Sequence, residues 1–240
     1  MNQAWLVLGA SSAIARAFAR KVAAQGASVL LVARDRSDAE IAVRDLVLRG
    51  AARAAAIGFD GDILAQFRGF AGGATPNVFL AFGSMPSQTE IDADGHVLAQ
   101  TLATNFTDAV LLLHALMAFL EEKPGGAIVA LGSVAGDRGR LKNYVYGAAK
   151  AGLHAYLQGL RARGVRSGVQ VVTVKPGFVD TAMTWGLPGL FLVASPDAVA
   201  AACVAAVAKK RDTIYTPFFW WGIMAIIRHI PERIFKKLNI

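Results

Sequence analysis

Tyr146 and Lys150 stand one helical turn apart in Tyr146-Gly147-Ala148-Ala149-Lys150. That spacing stacks a phenol and an ammonium on one helix face. A phenol with its ordinary pKa of about 10 exchanges protons poorly at neutral pH. A neighbouring ammonium favours the phenolate and lowers that value, so the pair suits proton exchange with a carbonyl or alcohol oxygen. Ser133, just beyond the apolar run Ala127–Leu131, could hydrogen-bond the same oxygen. Asn105, read as opening a helix Phe106–Leu120, could hold a water that continues a proton relay to Lys150. Singly, each residue has a plainer use as a chance spacing, a strand-end cap or a helix cap. Together, in this order and at the ends of apolar runs, they form a candidate catalytic group.

The elements that must position these residues alternate along the chain. Ala4–Leu8, Ser28–Ala33, Arg53–Gly58, Asn77–Phe82, Ala127–Leu131 and Val169–Val174 read as strands. Helical patterns lie near Ser12–Gln25, Ser37–Leu48, Ile63–Phe70, Val97–Glu122, Tyr144–Arg163 and Pro196–Lys210. Such alternation predicts right-handed βαβ units and a parallel sheet covered on both faces. The strands are continuously apolar, as burial on both faces requires. The expected fold is α/β, a Rossmann-type doubly wound parallel sheet in a single domain. Residues 1–211 would form the catalytic unit and 212–240 a last strand end with an aromatic and basic helical tail.

The first strand runs into Gly9-Ala10-Ser11-Ser12-Ala13-Ile14-Ala15, a tight turn and a helix start. Such a turn points free backbone N–H groups and the positive end of a helix dipole at an anion. Gly9 permits the turn, Ser11 or Ser12 can cap the helix or bind phosphate, and Ile14 enters the helix. Two positions where the dinucleotide pattern has glycine hold Ala13 and Ala15, and alanine still allows close strand–helix approach. After the second strand, Ala33 stands where an acid would grip the ribose diol of NAD. Arg34 follows and can pair with a 2′-phosphate, which leans toward NADP, although Asp35 beside it could blunt the preference. Lys150 can in turn reach the nicotinamide ribose.

Composition narrows the alternatives. The hydrophobic share is 55% and rich in alanine, and no stretch of about eighteen consecutive apolar residues suggests a spanning helix. The start lacks the features of a signal peptide, so a cytoplasmic location is expected. Cys203, the single cysteine, reads as a small buried hydrophobe. The histidines His96, His114, His154 and His229 show no metal-ligand spacing, so no metal is expected, and His114 reads as a packing residue in an apolar helix. The net charge is +8. From Lys209 onward seven basic residues face two acidic ones, so five of those eight charges belong to the tail. Before it there is no basic cluster interleaved with exposed aromatics, and a nucleic-acid partner is not expected. The tail segment Phe218–Leu238 joins Phe218-Phe219-Trp220-Trp221 to clustered Arg and Lys. That composition fits peripheral contact with a membrane interface, or a helix packed on another subunit. The Gly- and Leu-containing loop Thr184–Ala194 is where a substrate lid would lie.

These residues together resemble the short-chain dehydrogenase/reductase family over essentially the whole chain. The match runs through Gly9–Ala15, Asp60, Ala81-Phe82-Gly83, Asn105, Ser133, Tyr146-x-x-x-Lys150 and Pro176-Gly177-Phe178-Val179-Asp180-Thr181. The resemblance implies an NAD(P)H-dependent oxidoreductase, in which Asp60 meets the adenine and Pro176-Gly177 packs by the nicotinamide. It further implies that Val179 lines the cofactor site, that Thr181 helps to hold the carboxamide, and that the protein is a homo-oligomer. Two departures are Ala13 and Ala15 in the glycine fingerprint and Leu80-Ala81-Phe82-Gly83 in place of Asn-Asn-Ala-Gly. The tail and Lys175–Thr184 are similar to the subgroup of ketoreductases that reduce a 2-keto pentose on a polyprenyl phosphate. In that subgroup a separate flavin oxidase makes the ketone, and the lipid-linked sugar places the reductase at the inner face of the cell membrane. A soluble 3-ketoacyl or steroid reductase is the alternative, and a non-catalytic dinucleotide-binding scaffold a further one.

Overall fold

The computed structural model describes residues 2–186 and 189–238. Its strands are β1 Gln3–Leu8, β2 Ser28–Val32, β3 Arg53–Ile57, β4 Thr75–Leu80, β5 Ala127–Leu131, β6 Gln170–Pro176 and β7 Thr213–Thr216. All pair in parallel, in the order β3-β2-β1-β4-β5-β6-β7. The helices are α1 Ala13–Ala23, α2 Arg36–Leu48, α3 Ile63–Ala71, α4 Gln88–Ala93, α5 Gly95–Leu102, α6 Asp108–Glu121, α7 Tyr144–Ser167, α8 Pro196–Ala208, α9 Trp220–His229 and α10 Glu232–Phe235.

The sheet is the middle of three layers. One face packs on α1, α2 and α8, through Trp5, Val7, Phe18, Phe79, Val199 and Cys203. The other packs on α3, α6 and α7, through Leu6, Leu30, Phe67, Leu113, Phe119 and Leu157. Side chains from alternate strand positions therefore enter opposite cores, which is why the strands lack polar alternation. Polar caps start the helices: Ser12 on α1, Asp35 on α2, Asp62 on α3, and Ser87 with Glu90 on α4. Each accepts from a first-turn amide that has no helical acceptor.

Three readings need correction. The run Val97–Glu122 is two helices, α5 and α6, joined by a π turn Ala103–Thr107, and α4 precedes them unforeseen. Asn105 thus lies inside the π turn instead of opening a helix, because the extra residue per turn rotates its side chain inward. His114 is exposed on α6, and the buried histidine is His154, which is 4% exposed. Hydropathy could not separate the two because α6 is apolar around much of its circumference. The stretch Gly95–Glu121 is long and apolar enough to cross a bilayer. Its inner face, including Leu113, Leu116 and Met117, is buried against the sheet.

The tail closes the β7 end of the sheet. Trp220 and Met224 of α9 bury themselves with Val134, against Phe178 and Tyr215. A Cβ on Gly177 would lie 1.9 Å from Trp220 Nε1, so only glycine lets the indole seat on that loop. Arg138 then clamps the segment. It donates to the carbonyls of Ile227, Arg228 and Ile230, pairs with Glu232 at 2.9 Å, and lies 3.7 Å from the centre of the Phe235 ring.

Candidate active site

In an all-parallel sheet every strand delivers its following loop to the same edge. Winding reverses between β1 and its neighbours β2 and β4, which opens a crevice there. Gly9 occupies its floor with φ +88°. A Cβ at Gly9 would sit 2.7 Å from the Phe82 nitrogen, so the turn and the Ala81–Gly83 segment touch with no room for a side chain. The Gly9 and Ala10 amides both donate to the Val32 carbonyl, at 3.0 and 2.9 Å, which shapes the turn. Ser12 caps α1, Ser11 is exposed at the turn's tip, and Ile14 is buried behind it. The remaining first-turn amides of α1 have no helical acceptor. These amides could hold a dinucleotide's pyrophosphate.

Arg34 and Asp60 are exposed after β2 and β3. Asp35 is occupied elsewhere. It accepts from the Ser37 hydroxyl at 2.7 Å and the Asp38 amide at 3.2 Å. Those bonds hold its carboxyl below the ordinary range, and among the described residues no carboxylate pairs with Arg34.

The four candidate catalytic residues converge at the ends of β4 and β5. Close backbone packing brings them together. A Cβ on Gly132 would lie 2.2 Å from His154 Nε2, one on Gly136 2.8 Å from the Ala151 amide, and one on Gly147 2.9 Å from the Ala135 carbonyl. These glycines let α7 approach the turn Val134–Asp137 closely enough for Tyr146 to meet Ser133. Tyr146 is 6% exposed. Burial pushes its phenol up to about 12, while a hydrogen bond with Ser133 and the charge of Arg140 pull the other way. The net shift of the phenol is therefore upward, opposite to the lowering expected of it. Desolvation outweighs the attractive groups, and the cations that matter include Arg140. Lys150 itself is 4% exposed and burial lowers it to about 8. Its ammonium donates to the Leu131 carbonyl at 3.3 Å and sits 5.7 Å from the centre of the Tyr146 ring.

Asn105 is 1% exposed and locks the neighbouring loop. Its amide donates to the Ser84 carbonyl at 2.7 Å and the Thr101 carbonyl at 2.9 Å, and its oxygen accepts from the Ser84 amide at 3.3 Å. A Cβ on Gly83 would lie 2.7 Å from the Asn105 oxygen and 3.5 Å from Lys150 Nζ. Glycine at 83 therefore keeps the β4 loop tight against both residues. Past β6, the Val179 and Phe178 backbones pair with Ala194, closing the base of the loop foreseen as a lid. Thr181 lies at its start, with Thr184 bonded back to it. Leu187 and Pro188 of that loop lie outside the described residues.

Behind Ser133 is a polar cluster that the sequence did not announce. His154 Nε2 accepts from the Ser133 amide at 3.3 Å, and Nδ1 lies 3.8 Å from Asp137. The Asp137 carboxylate also accepts from Lys175 and from the Tyr215 hydroxyl, each at 2.6 Å. These residues come from α7, the Val134–Asp137 turn, β6 and β7, and only the assembled sheet joins them. Desolvation and the Lys175 charge lower His154 to about 3. The folded protein thus holds His154 neutral, whereas the unfolded chain protonates it near its ordinary value of about 6.5. Between those two values the unfolded state binds the extra proton, so stability falls as pH drops from about 6.5 toward 3. Urea unfolding at pH 7 and pH 4.5 should show this loss. A His154→Gln variant should show a shallower acid dependence, and an unchanged slope would count against neutral burial.

A family model described as short chain dehydrogenase matches residues 3–188, and the chain belongs to that family. It is a short-chain oxidoreductase with a Rossmann-type sheet, and its cofactor is a nicotinamide dinucleotide. It is 33% identical over 243 residues to an uncharacterized oxidoreductase of Streptomyces coelicolor, covering 98% of this chain and 95% of the relative. It is 29% identical over 191 residues to a 3-oxoacyl-[acyl-carrier-protein] reductase of Homo sapiens, covering 77% and 78%. A short-chain dehydrogenase from Sphingobium yanoikuyae, solved in complex with NADPH, shares the fold with a TM-score of 0.79. It is 23% identical, covering 96% of this chain and 97% of that one.

Proposed function

We propose that this chain is an NAD(P)H-dependent ketone reductase with Tyr146 as the proton donor. The observation that carries this is geometric: the Tyr146 ring is buried beside Ser133, and the buried Lys150 ammonium lies 5.7 Å from its centre while bonded to the Leu131 carbonyl at the end of β5. When bound, the reduced nicotinamide supplies a hydride to the ketone carbon. Ser133 polarises the ketone oxygen, Tyr146 gives it a proton, and Lys150 orients the ribose. Asn105 holds the loop against Lys150 and maintains the proton relay. Gly9, Ser11, Ser12 and Ile14 would hold the cofactor's pyrophosphate and Asp60 its adenine. Ala81, Phe82 and Gly83 would wall the crevice, and Pro176, Gly177, Val179 and Thr181 would adjoin the nicotinamide. Arg34, which pairs with no carboxylate among the described residues, favours NADP, since Asp35 is spent on its helix cap.

The proposed substrate is a 2-keto pentose on a polyprenyl phosphate, supplied by a flavin oxidase partner at the inner face of the membrane. Supporting it, the tail turns Phe218, Trp221 and Ile226 outward at 82%, 59% and 71% exposure, and the loop after β6 exposes Trp185 and Phe191. Residues 1–211 serve as the catalytic domain, with 212–240 completing the substrate side. Exposed Leu111 and Val165 on α6 and α7 suit a homo-oligomer. A soluble 3-ketoacyl reductase is the second reading, favoured by the human relative.

NADH and NADPH oxidation against keto sugars and ketoacyl thioesters separates these readings. We expect turnover of the keto sugars, with NADPH preferred. Exclusive use of thioesters would instead establish the second reading. Because Trp220 is built into the protein, membrane contact is better tested by replacing Phe218 and Trp221 with serine than by deleting the tail. Those variants should lose binding to anionic phospholipid vesicles while keeping NADPH binding. If the unaltered protein binds no vesicles, the membrane reading fails.

A further inference from the structure

A cavity of about 450 Å³ lies between the Arg138–Tyr144 segment and α10, lined by Arg140, Leu141, Tyr144, Phe235, Lys236 and Leu238, with Arg138 and Glu232. Its charges are not equivalent. Arg138 is consumed by the tail carbonyls and by Glu232. Arg140 is not: its Nε is buried with no partner, and among the described residues its side chain has no hydrogen-bond acceptor. Asp137, whose charge acts on Arg140, already accepts from Lys175 and Tyr215. Burial lowers the Arg140 pKa in spite of the opposing charge of Asp137. An arginine in that state costs stability in the free protein, and such costs concentrate where a ligand relieves them.

Arg140 is also shared with the chemistry, because its charge is felt by the Tyr146 phenol while its side chain lines the cavity. With Arg138 and Glu232 paired, Arg140 and Lys236 are two cavity cations that form no ion pair among the described residues. A carboxylate would neutralise only one. A phosphate can neutralise both, and the planar guanidinium fork matches its oxygens. Leu141, Phe235 and Leu238 add an apolar wall, suited to carbon next to the anion.

We infer that the cavity lined by Arg140 and Lys236 binds the phosphate group of an organic phosphate ester, and so holds the substrate with its ketone at Tyr146. The inference deepens the reading of Tyr146 as the acid of a ketone reductase and rests on it. The site is separate from any nucleotide phosphate near Arg34, which follows β2 on the far side of β1.

The test uses the full chain saturated with NADPH, so that the nucleotide's own phosphate positions are filled. Phenyl phosphate is titrated in by calorimetry, with benzoate as the carboxylate control. The expected result is binding of phenyl phosphate in preference to benzoate. Arg140→Met should weaken it by about tenfold or more, as for loss of a charge-assisted bidentate contact. Lys236→Met should weaken it less, and Arg34→Ala should leave it unchanged. Arg140→Met should also leave the thermal midpoint level or raise it, since it removes an unpaired buried charge. Equal binding by Arg140→Met, preference for benzoate, or no binding by the unaltered protein would overturn the inference. A lowered midpoint in Arg140→Met would do so too, by making Arg140 structural. The readout needs no turnover. Full activity in Tyr146→Phe with phosphate binding intact would therefore reject the reductase reading and leave the phosphate site standing.

Discussion

Replacing Tyr146 with phenylalanine is expected to lower ketone reduction by about 10²–10⁴-fold, the usual share of a positioned acid, with NADPH binding and folding retained. The ring is buried among its neighbours and phenylalanine keeps its volume; only the hydroxyl, with its Ser133 bond, is lost. The pH profile carries the same argument further. The phenol stays protonated up to about 12, so it does not set the alkaline limb near neutrality. Lys150 does, because burial brings it down to about 8 and its charge disappears as pH rises through that value. Reduction should therefore weaken above about pH 8. In Lys150→Arg the limb should move upward, since guanidinium stays charged. A limb that stays in place in Lys150→Arg would remove Lys150 from the assignment.

Asp137→Ala is expected to destabilise the fold by about 3–5 kcal/mol, the cost of stranding a buried ionic partner. The Asp137 side chain is 2% exposed and Lys175 12%, so water cannot substitute for the lost carboxylate. The Tyr215 hydroxyl would lose its acceptor at the same time. The double variant Asp137→Ala/Lys175→Met should recover much of the loss, because it removes the orphaned ammonium along with its partner. Urea unfolding measures both. A loss below about 1 kcal/mol, the range of exposed pairs, would mean that the cluster is wet and open. The cluster also fixes Ser133 through His154, so the single variant should lose activity even where it remains folded.

Much of this was legible in the residue order because it depends on local rules. Continuous apolar runs between amphipathic segments determined a parallel sheet buried on both faces. Gly9 before a serine-capped helix determined the tight turn into α1, and the Tyr146–Lys150 spacing determined a shared helix face. Each follows from backbone geometry over a few residues, so no distant partner is needed to read it. The π turn at Asn105 escaped because its extra residue shows only in hydrogen bonding, while the hydropathy of Val97–Glu122 stays smooth.

Tertiary structure decided what depends on neighbours remote in the chain. It buried Tyr146 and so reversed the expected direction of its pKa, since desolvation is a property of the packed site and not of a four-residue spacing. It joined Asp137, His154, Lys175 and Tyr215, which lie on four different elements. It left Arg140 without an acceptor among the described residues, while Arg138, two residues earlier, received four. Spacing along a helix can place an acid beside a lysine; only packing sets how much water surrounds them, and hence which proton each one holds.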